Sequence, residues 1–114
     1  MGSVERSRGD YPSARIYYER GLKLSQETGD YFSQSTALDA LGVCARVDGD
    51  MPLARSYHEE GLRLCRRLGD VQGEGWLLHG LGTDYWYEGR YEQAKTLFEE
   101  AGNFIEKFVE DAKV

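Results

Sequence analysis

The chain has little cysteine and little proline. Its 114 residues include two of each. The cysteines, Cys44 and Cys65, form no CxxC motif and have no second pair, so nothing in the sequence indicates a disulfide framework or a zinc ribbon. A reducing compartment, the cytoplasm, is therefore the predicted location.

Long apolar runs and an excess of positive charge are also missing. No stretch reaches the roughly eighteen apolar residues that a membrane-spanning helix needs, and the N-terminus does not resemble a signal peptide. The formal net charge is −6, which argues against a nucleic-acid or anionic-membrane surface, because phosphate binding needs clustered Lys and Arg. We expect neither a nucleic-acid nor a membrane partner, and we consider basic partners more plausible than acidic ones.

Motifs that carry chemistry are scarce as well. Neither His58 nor His79 lies in a nucleophile motif, and no glycine-rich phosphate loop is present. His58 and Cys65 fall on roughly the same predicted helix face, but a metal site needs three or four converging ligands. We therefore predict that the chain is not an enzyme, that it has no cofactor or metal, and that His58 and Cys65 are packing residues.

What the sequence does have is an internal repeat. The stretch GDYPSARIYYERGLKLSQETGD, starting at Gly9, returns forty residues later as GDMPLARSYHEEGLRLCRRLGD, starting at Gly49, and a looser third copy starts at Gly89. Self-similarity at a fixed period of this length is typical of stacked supersecondary units. Within each unit the apolar residues recur every three or four positions, which predicts helices and no strands.

Glycine followed by aspartate marks the predicted helix boundaries. Glycine accepts the left-handed conformation that ends a helix, and the aspartate side chain accepts backbone N–H bonds at the start of the next. The pair occurs about every twenty residues, as at Gly29-Asp30, Gly49-Asp50 and Gly69-Asp70. The predicted helices span residues 11–28, 31–48, 51–68, 71–88 and 91–111, with a short stub at 3–8.

Small and apolar residues occupy the positions of a known helical repeat: Leu41, Gly42, Ala45, Ala54 and Gly61, then Leu81, Gly82, Tyr85, Ala94, Phe98 and Ala101. On these residues the chain resembles the tetratricopeptide repeat (TPR) family. The resemblance implies an all-α, right-handed solenoid of stacked antiparallel helix-turn-helix repeats. The period of forty residues is similar to the long variant of bacterial LuxR- or AfsR-like regulators and Pins-type adaptors.

One domain over residues 1–114 is predicted, with an incomplete first repeat at 1–30, a second repeat at 31–70 and a third at 71–114. The first repeat has lost half of its first helix, so either the chain was cut from a longer array or its gene starts inside a repeat. In the third repeat no Gly-Asp pair stands at Val109-Glu110. The terminal helix, which includes Phe104, Ile105 and Phe108, is therefore expected to be extended.

The resemblance places the first helix of each repeat on the concave side of the stack. We predict a partner-binding groove at these positions: Asp39, Val43, Arg46, Trp76, His79, Thr83, Trp86 and Tyr87. Large aromatic side chains in an open groove are typical of binding hot spots. The aromatic residues and His79 would act as anchors, and Asp39 and Arg46 as polar selectors. The alternative is that Trp76 and Trp86 only fill space between helices.

The predicted function is non-catalytic binding of a peptide or helical segment of another protein, as part of a regulatory or scaffold protein. Acidic residues near the groove, Asp39, Asp84 and Glu88, favour a ligand that carries Lys or Arg beside an apolar anchor. The alternative is a self-association element, in which the incomplete first repeat and the apolar terminal helix form a homodimer.

Overall fold

The part of the chain that the structure describes forms five helices that follow one another with short turns. The structure, a computed structural model, describes the backbone of residues 3–113 and the side chains of residues 13–103. The helices are α1 (Ser3–Thr28), α2 (Tyr31–Val47), α3 (Met51–Leu68), α4 (Val71–Tyr87) and α5 (Tyr91–Lys113). The described backbone consists of helices and short connections without any strand, and the all-α class predicted from the sequence is confirmed.

The turns between helices use the predicted glycine-aspartate chemistry. Positive φ angles of 69° to 85° occur at four glycines: Gly29, Gly49, Gly69 and Gly89. L-residues adopt this left-handed conformation only at a cost, which explains why a glycine stands in the turn after each of the first four helices. In three of these turns the next residue is an aspartate, whose carboxylate accepts a hydrogen bond from the backbone N–H three residues later. At Asp70, for example, the donor is the N–H of Gly73, with a distance of 2.9 Å. Three of the five helix starts thus follow from short local sequences, at Asp30, Asp50 and Asp70.

The predicted boundary at Gly9-Asp10 is wrong. Helix α1 runs without a break from Ser3 to Thr28 and so joins the predicted stub at 3–8 to the predicted helix at 11–28. A turn at Gly9 would break the helical backbone hydrogen bonds around that residue. The free-energy cost would have to be offset by packing of the predicted short helix at residues 3–8. Six residues are too few to provide that packing, so the continuous helix is favoured.

At the other end, α5 continues to Lys113, past the position where the period would place another turn. The apolar residues predicted for this extension, Phe104, Ile105 and Phe108, have side chains outside the described residues. In the part of the chain that the structure describes, no helix combines the length and apolar character needed to cross a membrane.

Consecutive helices pack against each other, and α2 also contacts α4. The first helices of the second and third repeats therefore lie side by side. Between the hairpins a core cluster combines residues of α3, α4 and α5: Leu62, Cys65, Leu77, Leu78, Leu81 and Ala101. This packing places the outward faces of α2 and α4 next to each other as the walls of a groove.

Candidate functional site

An open pocket of about 200 Å³ lies between α2 and α4. The residues that line it come from both helices and from the turn before α4: Phe32, Ser35, Thr36, Asp39, Asp70, Gln72, Gly73, Trp76 and Leu77. Two large aromatic side chains at its edges are well exposed, Phe32 to 73% and Trp76 to 53%. The pocket thus offers apolar surface from two helices beside the carboxylates of Asp39 and Asp70.

Further along the same two helices, Arg46 and Tyr87 bring the walls together. The Arg46 guanidinium lies over the Tyr87 ring, 5.7 Å from its centroid. Val43 and Thr83, two other residues predicted for the groove, are half-buried. The Thr83 hydroxyl donates a hydrogen bond to the His79 carbonyl at 2.9 Å, so its one donor is used within α4 while its oxygen can still accept.

The remaining two predicted groove residues contact α5. The rings of Trp86 and Tyr91 meet edge to face with centroids 4.7 Å apart. The imidazole of His79 lies 5.3 Å from the Phe98 ring. The structure therefore brings Asp39 and Trp76 together in one pocket and places His79 and Trp86 on another face of α4.

Beneath the groove, His58 of α3 is completely buried between the two groove helices. Its Nδ1 contacts the carboxylate of Asp84 on α4. Its Nε2 lies 3.1 Å from Asp39 Oδ1 on α2, at ion-pair distance but outside hydrogen-bond geometry. Asp84 also accepts a hydrogen bond from Arg46 Nη1 at 2.9 Å. We refer to Asp39, Arg46, His58 and Asp84 as the His58 cluster.

The electrostatics of this cluster favour a protonated imidazole. Burial alone would lower the pKa of His58, but its contacts with the carboxylates of Asp39 and Asp84 outweigh burial and raise the pKa from 6.5 to about 9. Near neutral pH the cluster then contains two cations, His58 and Arg46, and two carboxylates. It is balanced in charge and ties α2, α3 and α4 together.

Two glycines provide the space for the imidazole ring. A Cβ atom added at Gly42 of α2 would lie 2.5 Å from His58 Nε2, and one at Gly80 of α4 would lie 2.9 Å from it. Gly82, the equivalent of Gly42 one repeat later, faces the ring of Phe98 in the same way, at 2.9 Å. The aromatic ring at this repeat position, His58 or Phe98, therefore packs against glycine because a larger residue on the neighbouring helix would clash with it.

The sequence interpretation treated His58 as a packing residue and did not identify the cluster. A signal was nevertheless available from aligning the chain with itself at an offset of forty. His58 aligns with Phe98, Asp84 with Cys44, and Arg46 with Trp86. Charged or titratable residues thus replace apolar ones at three positions. In the structure these three residues, one each from α2, α3 and α4, meet in the His58 cluster.

All three acids expected to attract a basic ligand have a charged partner within the chain, and they differ in how exposed they are. Asp84 is fully buried in the His58 cluster, and Glu88 accepts a hydrogen bond from Arg55 at 3.0 Å. Asp39 keeps a side-chain exposure of 40%. Among the residues whose side chains are described, no group of three or more His, Cys, Asp or Glu could hold a metal ion.

Comparison with known proteins agrees with this architecture. A sequence profile of the tetratricopeptide repeat family matches residues 33–104, which is more than half of the chain. A search among curated proteins found no match. The matched segment contains the hairpin of α2 and α3 and that of α4 and α5 as far as residue 104. The repeated helical hairpins and the profile match lead to the same assignment, and the chain belongs to the tetratricopeptide repeat family.

Proposed function

We propose that the chain is a non-catalytic interaction module that binds a peptide or helical segment of a protein partner between α2 and α4. Repeats of this family generally mediate protein–protein interaction. The observation that carries the proposal is the pocket, because it places Trp76 beside Asp39 from the neighbouring helix. A role as part of a regulatory or scaffold protein in the cytoplasm is consistent with such binding.

The chemistry of the pocket suggests its ligand. Phe32 and Trp76 offer exposed aromatic surface that an apolar side chain can cover, and an anchor of this kind can contribute much of the binding energy. Asp39 and Asp70 add carboxylates at the same pocket. We therefore propose a partner that carries Lys or Arg beside an apolar anchor.

Replacing Trp76 with alanine is expected to weaken partner binding about thirtyfold, since truncation of an anchoring Trp typically costs about 2 kcal/mol or more. Peptides selected from a random displayed library on the wild-type chain would serve as ligands, and isothermal titration calorimetry would give the affinities. The matched control is Trp86→Ala, because both tryptophans lie on α4 and are 53% and 54% exposed. We expect this control to change the affinity less than about threefold.

Circular dichroism of both variants should show wild-type helicity, because neither tryptophan is part of the buried core. Equal losses of affinity in the two variants would argue against a groove centred on Trp76. Loss of helicity in Trp76→Ala alone would favour the alternative that this residue packs between helices.

Self-association is a second candidate, and the exposure of α1 favours it. Leu24 is 61% exposed, whereas Leu64, its equivalent one repeat later, is 8% exposed. Tyr17 on the same helix is 72% exposed. Exposed apolar side chains of this kind can pair two copies of a chain. We expect sedimentation velocity to detect a dimer that Leu24→Glu dissociates, and a monomer at all concentrations would exclude this candidate.

A further inference from the structure

The groove and the His58 cluster share a residue. Asp39 lines the pocket with one part of its side chain, and its Oδ1 lies 3.1 Å from His58 Nε2. On the opposite wall, Asp84 of α4 contacts the other nitrogen of the same imidazole. His58 therefore joins the two helices that form the groove from behind.

The charged groups that face the imidazole come from both neighbouring helices. Asp39 and Arg46 belong to α2, with Arg46 paired to Asp84, and Asp84 belongs to α4. A protonated imidazole is a cation with an N–H on each nitrogen and attracts both carboxylates, whereas a neutral imidazole has no net charge and a single N–H. One of the two carboxylate contacts must therefore weaken when His58 loses its proton.

Burial decides which contact is lost. The Asp84 side chain is 0% exposed, whereas that of Asp39 is 40% exposed. Releasing Asp84 would leave a carboxylate without solvent in the core, which is costly, but Asp39 can turn toward water. The remaining proton is thus expected on Nδ1, and the lone pair of Nε2 then repels the Asp39 carboxylate.

We propose that the protonation state of His58 sets the position of Asp39 and thereby controls the affinity of the groove for its partner. His58 acts as a positioning residue, since it lies behind the pocket and is buried. The inference rests on the proposed function for its biological meaning, but the coupling between His58 and the groove can be measured without a ligand. Coupled sites typically change each other's affinity by about 5- to 150-fold.

The test uses fluorine NMR of the full chain labelled with 5-fluorotryptophan. The two tryptophans give two resonances, which Trp76→Phe and Trp86→Phe assign. Titration from pH 7 to pH 10.5 is expected to shift the Trp76 resonance with a midpoint near the His58 pKa of about 9. The Trp86 resonance serves as the comparison, because Trp86 contacts α5 and does not line the pocket that contains Asp39.

Two variants keep the test decisive. In His58→Gln the pH-dependent shift of the Trp76 resonance should disappear. It should also be lost in Asp39→Asn, a variant that should fold normally because the Asp39 side chain is partly exposed. A Trp76 resonance that does not respond to pH, or that responds equally in Asp39→Asn, would overturn the proposal.

The affinity of the library-selected peptide supplies the functional readout. Between pH 7 and pH 10.5 the affinity of a selected peptide whose cation is arginine should rise about tenfold for the wild type, because the released Asp39 carboxylate can pair with that arginine, and should change less than about twofold for Asp39→Asn. If the library yields no peptide, the proposed function fails while the Trp76 titration still decides whether His58 controls the groove. If the wild type bound the peptide with equal affinity at both pH values, the proposal that the protonation state of His58 controls binding would be overturned.

Discussion

Replacing Asp84 with alanine is expected to lower the free energy of unfolding by about 3 to 5 kcal/mol. The Asp84 carboxylate is fully buried and pairs with both His58 and Arg46. Its removal leaves the partly buried Arg46 without its paired carboxylate and the buried His58 with Asp39 alone, which is more costly than losing the pair as a whole. Since small domains have total stabilities of about 5 to 15 kcal/mol, this loss would be a large part of the stability of the chain.

Urea denaturation followed by circular dichroism would measure this loss. The matched control is Asp48→Ala, because Asp48 also pairs with an arginine, Arg15, at 2.6 Å, but with side chains 45% and 42% exposed. Exposed ion pairs contribute about 0 to 1 kcal/mol. If the two alanine variants lost similar amounts of stability, the His58 cluster would not be the strong link between α2, α3 and α4 inferred from its burial.

The stability of the chain is also expected to fall as the pH rises from about 6.5 to about 9. The pKa of His58 is raised from 6.5 to about 9 on folding, so the folded state holds this proton more tightly than the unfolded state. The resulting stabilisation is fully present below pH 6.5 and is lost as the pH passes through the folded pKa. At about 1.4 kcal/mol per pKa unit, the expected loss is about 3 kcal/mol.

Two single variants separate this effect from other titrations. His58→Gln should flatten the profile between pH 6.5 and 9, whereas His79→Gln, at an exposed position of α4, should keep the wild-type slope. Burial also raises the pKa of Cys44 and Cys65 above 9.0, so these thiols reduce stability only above this window. A profile with the same slope in wild type and His58→Gln would contradict the assignment.

The sequence predicted most of the fold because its helix ends are local. The predicted helix 51–68 agrees with α3, and the predicted start at residue 31 agrees with α2. Each of these ends depends on a glycine and an aspartate that act within four residues of chain. The predicted boundary at Gly9 was wrong because a glycine-aspartate pair ends one helix and starts another only when both helices can pack against the rest of the structure.

Part of the site was predictable as well, and geometry explains the rest. Trp76 and Asp39 were assigned to one groove, and the structure places both at one pocket. Trp86 was grouped with them because it lies on the same first helix of a repeat as Trp76. Ten residues advance an α-helix by about 1000°, however, which leaves Trp86 about 80° away from Trp76. Its contact with Tyr91 follows from that drift.

The His58 cluster could not be assembled from spacing along the chain. Its contacts join residues that are 26 and 38 positions apart, His58 with Asp84 and Arg46 with Asp84. Which of the 20 acidic residues would meet the imidazole depends on how α3 packs against α4. An alignment of the repeats indicates unusual positions but does not indicate that they touch.

These separations also have a consequence for the order of folding. Helical hairpins form from contacts close in sequence and therefore fold fast. The His58 cluster joins the hairpin of α2 and α3 to α4, so its contacts are expected to form after each hairpin has formed, when the two hairpins dock. Residues whose contacts form late influence the unfolding rate more than the folding rate. The cluster would thus determine how long the docked hairpins stay together, while the glycine-aspartate turns determine how quickly each hairpin forms.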